Sequence, residues 1–289
     1  MGAVAGSVLG YATLPVLAKL ALGAGADVWA LVAWRFGIAA GAVWLVIALT
    51  DRRPPASGRW GELALLGALY SVSGAGFLAS LEYLSAGVAT LLFFTFPAAV
   101  VLGGALFLDE PLDARRGVAL VLTVGGCTLT AGAGGGADAA GVALALTAML
   151  AVAAYTLASR RVMSRSAALG GSAVILTVTA AVTSVLALVQ GGLRLGGGAD
   201  ALGWALLTGI VGTAVPVTMF LVALQHLDAG RVSLYSTAEP VITVLLAAAV
   251  LGERMTALQL GGGALVVAGV AWLRLGGAPA EPGPVEGGP

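Results

Sequence analysis

Charge is what this chain has least of. Only 10% of its 289 residues are Asp, Glu, Lys or Arg, against about 25% in ordinary soluble domains. A soluble globular fold is excluded on that ground. Cysteine and histidine are equally scarce, with one of each. A lone cysteine rules out an internal disulfide, and Cys127, set in an apolar run, reads as a small packing residue. The lone His226 lies at the end of an apolar run beside Asp228. Metal sites need several His, Cys or carboxylate ligands at set spacings, so neither a metal nor another cofactor is expected. No basic patch points to nucleic acid. Lysine occurs once against thirteen arginines, alongside 44 glycines, a composition suggesting a high-GC bacterial genome.

What the chain does have is apolar length. Its hydrophobic content is 59% and its mean hydropathy +1.02. Runs of about 20 apolar residues, the length that crosses a bilayer as a helix, recur throughout. Ten spans are expected, at roughly 3–22, 28–49, 60–82, 86–107, 116–133, 139–158, 168–189, 203–225, 230–251 and 257–274. The first lacks a basic flank and reads as a retained helix rather than a secretory signal. The Gly/Pro-rich stretch 276–289 is expected to be disordered. With the N-terminus in the cytoplasm, ten arginines fall on cytoplasmic segments and two, Arg194 and Arg254, outside. That bias follows the positive-inside rule and places both termini inside.

The chain also repeats itself. Residues 77–126 laid without gaps on 220–269 match at 17 of 50 positions. Among the matches, Ala86, Gly87, Pro97, Glu110 and Gly126 meet Ala229, Gly230, Pro240, Glu253 and Gly269. Each repeat would hold five spans, an odd number, so the second must enter the membrane from the opposite side. The expected fold class is therefore an all-α membrane protein. Its ten transmembrane helices form two inverted five-helix repeats, 1–135 and 136–275, around a central cavity. Inverted repeats with a midplane site at their interface belong to alternating-access transporters. Spans one to four and six to nine should line the cavity, with five and ten bracing it.

The stretch Ala238 to Trp272, AEPVITVLLAAAVLGERMTALQLGGGALVVAGVAW, resembles the signature of the EamA-type family in the drug/metabolite transporter superfamily. Residues Phe96 to Leu129 resemble the same signature with Phe in place of the acid, and Trp34-Arg35-Phe36 resembles the arginine such proteins carry in the second span. The resemblance implies a ten-helix carrier of the bacterial inner membrane, often an exporter of amino acids, metabolites or toxic compounds, working without ATP.

Two ionisable residues lie too deep to reach water easily. Arg35 is about eight residues into span two, roughly 12 Å from its outer end. It could bind a substrate carboxylate through its planar donor fork, or pair structurally with Glu239 or with backbone carbonyls. Glu239 lies mid-span immediately before Pro240, where the helix should kink or break. It would then sit at the positive end of the following segment, where desolvation and nearby positive groups act on its carboxyl in opposite senses. It could cap a broken helix, bind a cationic substrate group or carry a coupling proton. Tyr235, Glu239 and Thr243 share a face at four-residue spacing, expected to point to the cavity. Intramembrane hydroxyls need partners, which adds Tyr11, Tyr70 and Tyr155 to the candidates. Lys19, nearer the outer end of span one, and Phe94, from an aromatic-rich first half, complete the set. Glu110 and Glu253, at corresponding span ends, read as interfacial anchors. Gly74 and its small neighbours read as thinning span three for close packing.

The expected function is secondary transport, exporting a small organic solute such as an amino acid. A multidrug exporter of cationic compounds is the alternative. A polytopic membrane enzyme would need convergent His, Asp or metal-ligand sets, which the sequence lacks. A receptor or scaffold would carry a long soluble loop or tail. The expected partners are a small-molecule substrate, the lipid bilayer and, as coupling ion, a proton.

Overall fold

A computed structural model describes residues 2–50, 60–107, 114–132, 138–162, 168–219 and 238–275. All regular structure among them is helical, apart from a single bridge between two loops. The first half holds α1 (Gly2–Gly23), α2 (Val28–Leu49), α3 (Trp60–Ser80), α4 (Ala86–Phe93), α5 (Phe96–Phe107) and α6 (Ala114–Gly132). The second holds α7 (Ala139–Val162), α8 (Ala168–Gln190), α9 (Gly198–Gly209), α10 (Glu239–Leu251) and α11 (Ala257–Leu275). Six described stretches are long and apolar enough to cross a membrane, and four shorter apolar helices stand beside them. This is a multi-pass membrane protein, and its surface fits that setting. Leu49, Val121, Val189 and Leu245 are among many large apolar side chains turned outward, where only lipid would accept so much exposed apolar surface.

Helix boundaries follow local chemistry. Asp27 caps α2 by accepting from the Ala30 N–H at 2.8 Å, and Ser85 caps α4 by accepting from Val88 N–H. Such side-chain oxygens satisfy donors that a helix start leaves open. The expected fourth span is broken into α4 and α5 at Phe94–Thr95, and α5 restarts at Phe96-Pro97. Helix α10 begins at Glu239 with Pro240 in its first turn. Those two starts coincide under the 143-residue offset of the repeat. Proline suits the first turn because its missing N–H would go unbonded there anyway. Residues 220–237, with His226, Asp228 and Tyr235, lie outside the described residues, as do Glu110 and the 276–289 tail.

The eighth span also differs from expectation, in two ways. It starts at Gly198, five residues early, and contains a π-helical turn over Ile210–Ala214. Pro216, two residues after the turn, cannot donate to the ladder, a recognised cause of such irregularity. Its ring fills the space beside Gly10 of α1.

The packing comes in matched pairs. Helices α2 and α8 lie together, as do α6 and α11; α3 packs on α7 and α8, while α9 packs on α1 and α2. Glycines set the closest approaches. A Cβ on Gly67 would strike the Val178 side chain and the Ile175 carbonyl, and one on Gly209 would strike the Ile38 side chain and the Arg35 carbonyl. Likewise Gly126 faces Gly262 and Val266, while Gly269 faces Ala119 and Thr123. The second of these pairs is the first with the halves exchanged at the 143-residue offset. At one end of the bundle the α1–α2 and α8–α9 loops join, with Asp27 N–H donating to the Leu195 carbonyl and Ala26 bridged to Gly196. Gly25, Gly196 and Gly197 hold positive φ there, a conformation glycine adopts at no steric cost.

Candidate functional site

Five of the candidate residues converge. Helix α1 supplies Tyr11, α2 Arg35, α3 Tyr70, α7 Tyr155 and α10 Glu239. Tyr11 lies within electrostatic reach of all four others, and Tyr70 within reach of Arg35 and Glu239. Tyr11 and Tyr70 share a side-chain hydrogen bond. All five are deep in the protein. The three tyrosines and Glu239 nonetheless keep partial accessible surface.

Local sequence explains the placement. Pro15 interrupts α1, so the Tyr11 carbonyl, four residues earlier, has no helical donor. The next carbonyl, Ala12, accepts from the Thr243 hydroxyl at 3.1 Å, which staples α10 to α1 one turn beyond Glu239. Thr243 is therefore spent on packing. It is fully buried against α1, one turn from Glu239 on the same helix face. On α3 and α8, Leu63, Leu66, Val174 and Ile175 form a small apolar cluster beneath Tyr70 and Tyr155.

The aromatic rings form a continuous wall. Phe36 meets Tyr70 edge-on at 5.5 Å between centroids, and Tyr70 meets Tyr155 at 5.3 Å. Arg35 is only 3% exposed, its guanidinium lies 4.0 Å from the Phe36 centroid, and its Nε has no hydrogen-bond partner. Buried polar groups are nearly always bonded, so the free Nε donor of Arg35 is an exception. The Arg35–Phe36 pair fits here because residue 74 is glycine. A Cβ there would sit 2.5 Å from Phe36 Cζ and 3.0 Å from an Arg35 terminal nitrogen. Among the described residues Arg35 and Glu239 form no ion pair, and neither is the other's electrostatic partner. One guanidinium and one carboxyl group thus stand in one aromatic-walled cluster, unpaired with each other.

The remaining candidates lie elsewhere. Lys19 is within electrostatic reach of Glu253, not of the tyrosines. Phe94 is buried at the α4–α5 break in an aromatic group with Phe77, Phe93 and Phe96. Tyr235 is outside the described residues. Sequence reasoning missed Phe36 and Gly74 as parts of the site. The signal for Phe36 was its position directly after Arg35; Gly74 gave none beyond its smallness.

The fold is shared. A solved structure described only as "Crystal structure of protein" superposes with a TM-score of 0.67 at 18% sequence identity, covering 94% of this chain and 95% of its own. No curated protein sequence matches this chain. The sequence model of the EamA-like transporter family, by contrast, matches residues 1–132 and 139–275. The chain belongs to the EamA-like transporter family.

Proposed function

We propose that this chain is an alternating-access carrier that exports a small zwitterionic solute, such as an amino acid, across a bacterial inner membrane. The observation that carries the reading is the unpaired coexistence of Arg35 and Glu239 in one tyrosine-lined cluster. Arg35 offers a fork for a carboxylate, Glu239 an acceptor for an ammonium group or a proton, and the Phe36–Tyr70–Tyr155 wall an apolar face for a side chain. A purely cationic drug would leave the Arg35 charge facing a like charge. For that reason the multidrug reading ranks second.

The two-repeat architecture, 1–135 and 136–275, rests on three supports. They are the 17-in-50 sequence match, the division of the family match at 132 and 139, and the exchanged glycine contacts of α6 and α11. The site residues come from the first, second, third, sixth and ninth apolar segments, as a cavity at the repeat interface requires. Helices α6 and α11 contribute none and pack chiefly on each other. The arginine distribution puts both termini in the cytoplasm, so Ala86 and Glu253 face the periplasm.

Counterflow into proteoliposomes tests the reading directly. A panel of amino acids and organic cations is presented against each preloaded compound. Exchange of one or more amino acids supports the zwitterion carrier. Exchange confined to cations selects the multidrug reading, and no exchange with any member removes both.

A further inference from the structure

The start of α4 is completed by a residue from the opposite half of the chain. Four N–H groups open every α-helix without an internal partner. Here Ala86 N–H donates to Glu253 Oε1 at 2.8 Å and Gly87 N–H donates to Glu253 Oε2 at 3.2 Å. Val88 N–H donates to the Ser85 hydroxyl at 3.2 Å, and the first internal bond runs from Ala89 N–H to the Ser85 carbonyl. Three open donors are thus met, two of them by one carboxylate 166 and 167 residues away. The geometry is built for it. Gly252 ends α10 in the left-handed conformation, which turns the chain so that Glu253 reaches sideways. Gly87 has no Cβ, and one added there would meet Met255 Sδ at 3.1 Å and lie 3.9 Å from Glu253 Oε2. Lys19 of α1 lies within electrostatic reach of the same carboxylate. One side chain thus ties α1, α4 and α10 together at a single end of the bundle.

We infer that Glu253 is a latch that holds this end of the carrier shut. It is a positioning residue acting through the α4 N-terminus, not a contact to the substrate. The inference deepens the carrier reading above and rests on it for its meaning. The physical reason for a latch rather than a permanent brace is the nature of the partners. Ala86 and Gly87 are buried in the closed arrangement. Opening this end would expose their N–H groups and the carboxylate to water, which replaces each bond lost. A carboxylate on backbone donors is therefore strong while dry and exchangeable when wet. An apolar contact of the same area would resist opening, because wetting it gains nothing.

The test reads distance, not transport. Spin labels are placed on Tyr83→Cys and Arg254→Cys in a Cys127→Ser background, both labelled positions being exposed. Pulsed electron–electron distances are then compared for Glu253, Glu253→Ala, Glu253→Gln and Gly87→Ala. Two charge-assisted bonds hold the latch, so Glu253→Ala should raise the ratio of long to short distance at least about tenfold. Glu253→Gln, which keeps one acceptor and the shape, should fall between. Gly87→Ala, which leaves the charge intact but crowds Met255, should shift the ratio the same way. Distributions unchanged from wild type in both Glu253→Gln and Gly87→Ala would overturn the latch. The distances are measured without substrate. A wild-type protein inactive in counterflow would thus sink the carrier reading while leaving this result legible.

Discussion

Arg35 and Phe36 are consecutive in α2 and still pack as a pair, the guanidinium 4.0 Å from the ring centroid. Neighbouring helical residues diverge by about 100°, so the arginine must fold back along its own helix to reach the ring. That leaves the Nε without a partner and the charge held by an aromatic face. Replacing a buried charge with an apolar side chain of similar length is often neutral or stabilising, by about 1–4 kcal/mol for whole ion pairs. Arg35→Met is therefore expected to keep or raise the thermal midpoint in detergent while abolishing counterflow. A drop in midpoint matching the drop in transport would assign Arg35 a structural role instead. Arg35→Lys is expected to lose most transport as well, because an ammonium lacks the planar fork.

Gly74 holds the room that this pair needs. A Cβ would lie 2.5 Å from Phe36 Cζ and 3.0 Å from an Arg35 nitrogen. Overpacking of this kind costs about 1–3 kcal/mol. Gly74→Ala should lower the unfolding midpoint and weaken substrate affinity more than it lowers the maximal rate. Gly37→Ala, where an added Cβ meets nothing within 4 Å, is the matched control and should change neither.

How much of this was legible in the sequence differs from residue to residue. The apolar runs carried the helices and Pro240 the helix start beside it, because both are local signals, whereas the fourth span, expected whole, is broken at Phe94–Thr95. Arg35 and Glu239 stood out because ionisable groups are costly at membrane depth. What lay beyond reach was long-range direction. The repeat matched Glu253 to Glu110 but could not say that Glu253 caps a helix in the other half. Heptad-like spacing put Thr243 on the Glu239 face but could not foresee that a carbonyl beside the Pro15 interruption would claim its hydroxyl.

The interface of α6 and α11 should be intolerant of size. A Cβ on Gly126 would lie 2.5 Å from the Gly262 carbonyl oxygen, and one on Gly262 would lie 2.6 Å from the Gly126 carbonyl oxygen. Backbone atoms cannot rotate aside as side chains can. Gly126→Val is expected to lower the unfolding midpoint markedly, by more than Gly125→Val, whose added Cβ meets nothing within 4 Å. Equal effects of the two changes in a thermal unfolding series would contradict the close approach.

Topology is open to a direct check. Reporter fusions after Gly135 and Gly276 should read periplasm and cytoplasm respectively, as ten arginines against two demand. The reverse pattern would place Glu253 on the cytoplasmic side.

Glu82, in the turn between α3 and α4, carries a modest pH signal outside the membrane spans. It is exposed overall, yet partial desolvation of its carboxyl raises its pKa, with the Asp27 carboxylate as the second cause. A folded pKa above the unfolded one means that the folded state binds more protons between the two values. Stability should therefore fall slightly as pH rises through the carboxylate range and then level off. Glu82→Gln should flatten that part of the midpoint-versus-pH curve. An identical slope in the variant would show that Glu82 is not its source.

Glu239 is the residue on which transport should turn. It opens α10, at the end of the helix where a negative charge is favoured. Its counterpart Phe96 opens α5 without a charge, so starting a helix at this place does not require the acid. Neither Arg35 nor any other described cation neutralises it. A carboxylate enclosed with three tyrosines and no counter-ion is costly, and a ligand ammonium or a proton would relieve that cost. Glu239→Gln keeps the shape and one acceptor while removing the charge. Counterflow is expected to fall at least about tenfold, the scale of one charge-assisted bond, with membrane abundance and monodispersity near wild type. Undiminished transport by Glu239→Gln would leave the acid only a helix-capping role. Retained exchange with lost dependence on a pH gradient would instead assign the residue to coupling, separating the proton from the substrate as the partner of this carboxylate.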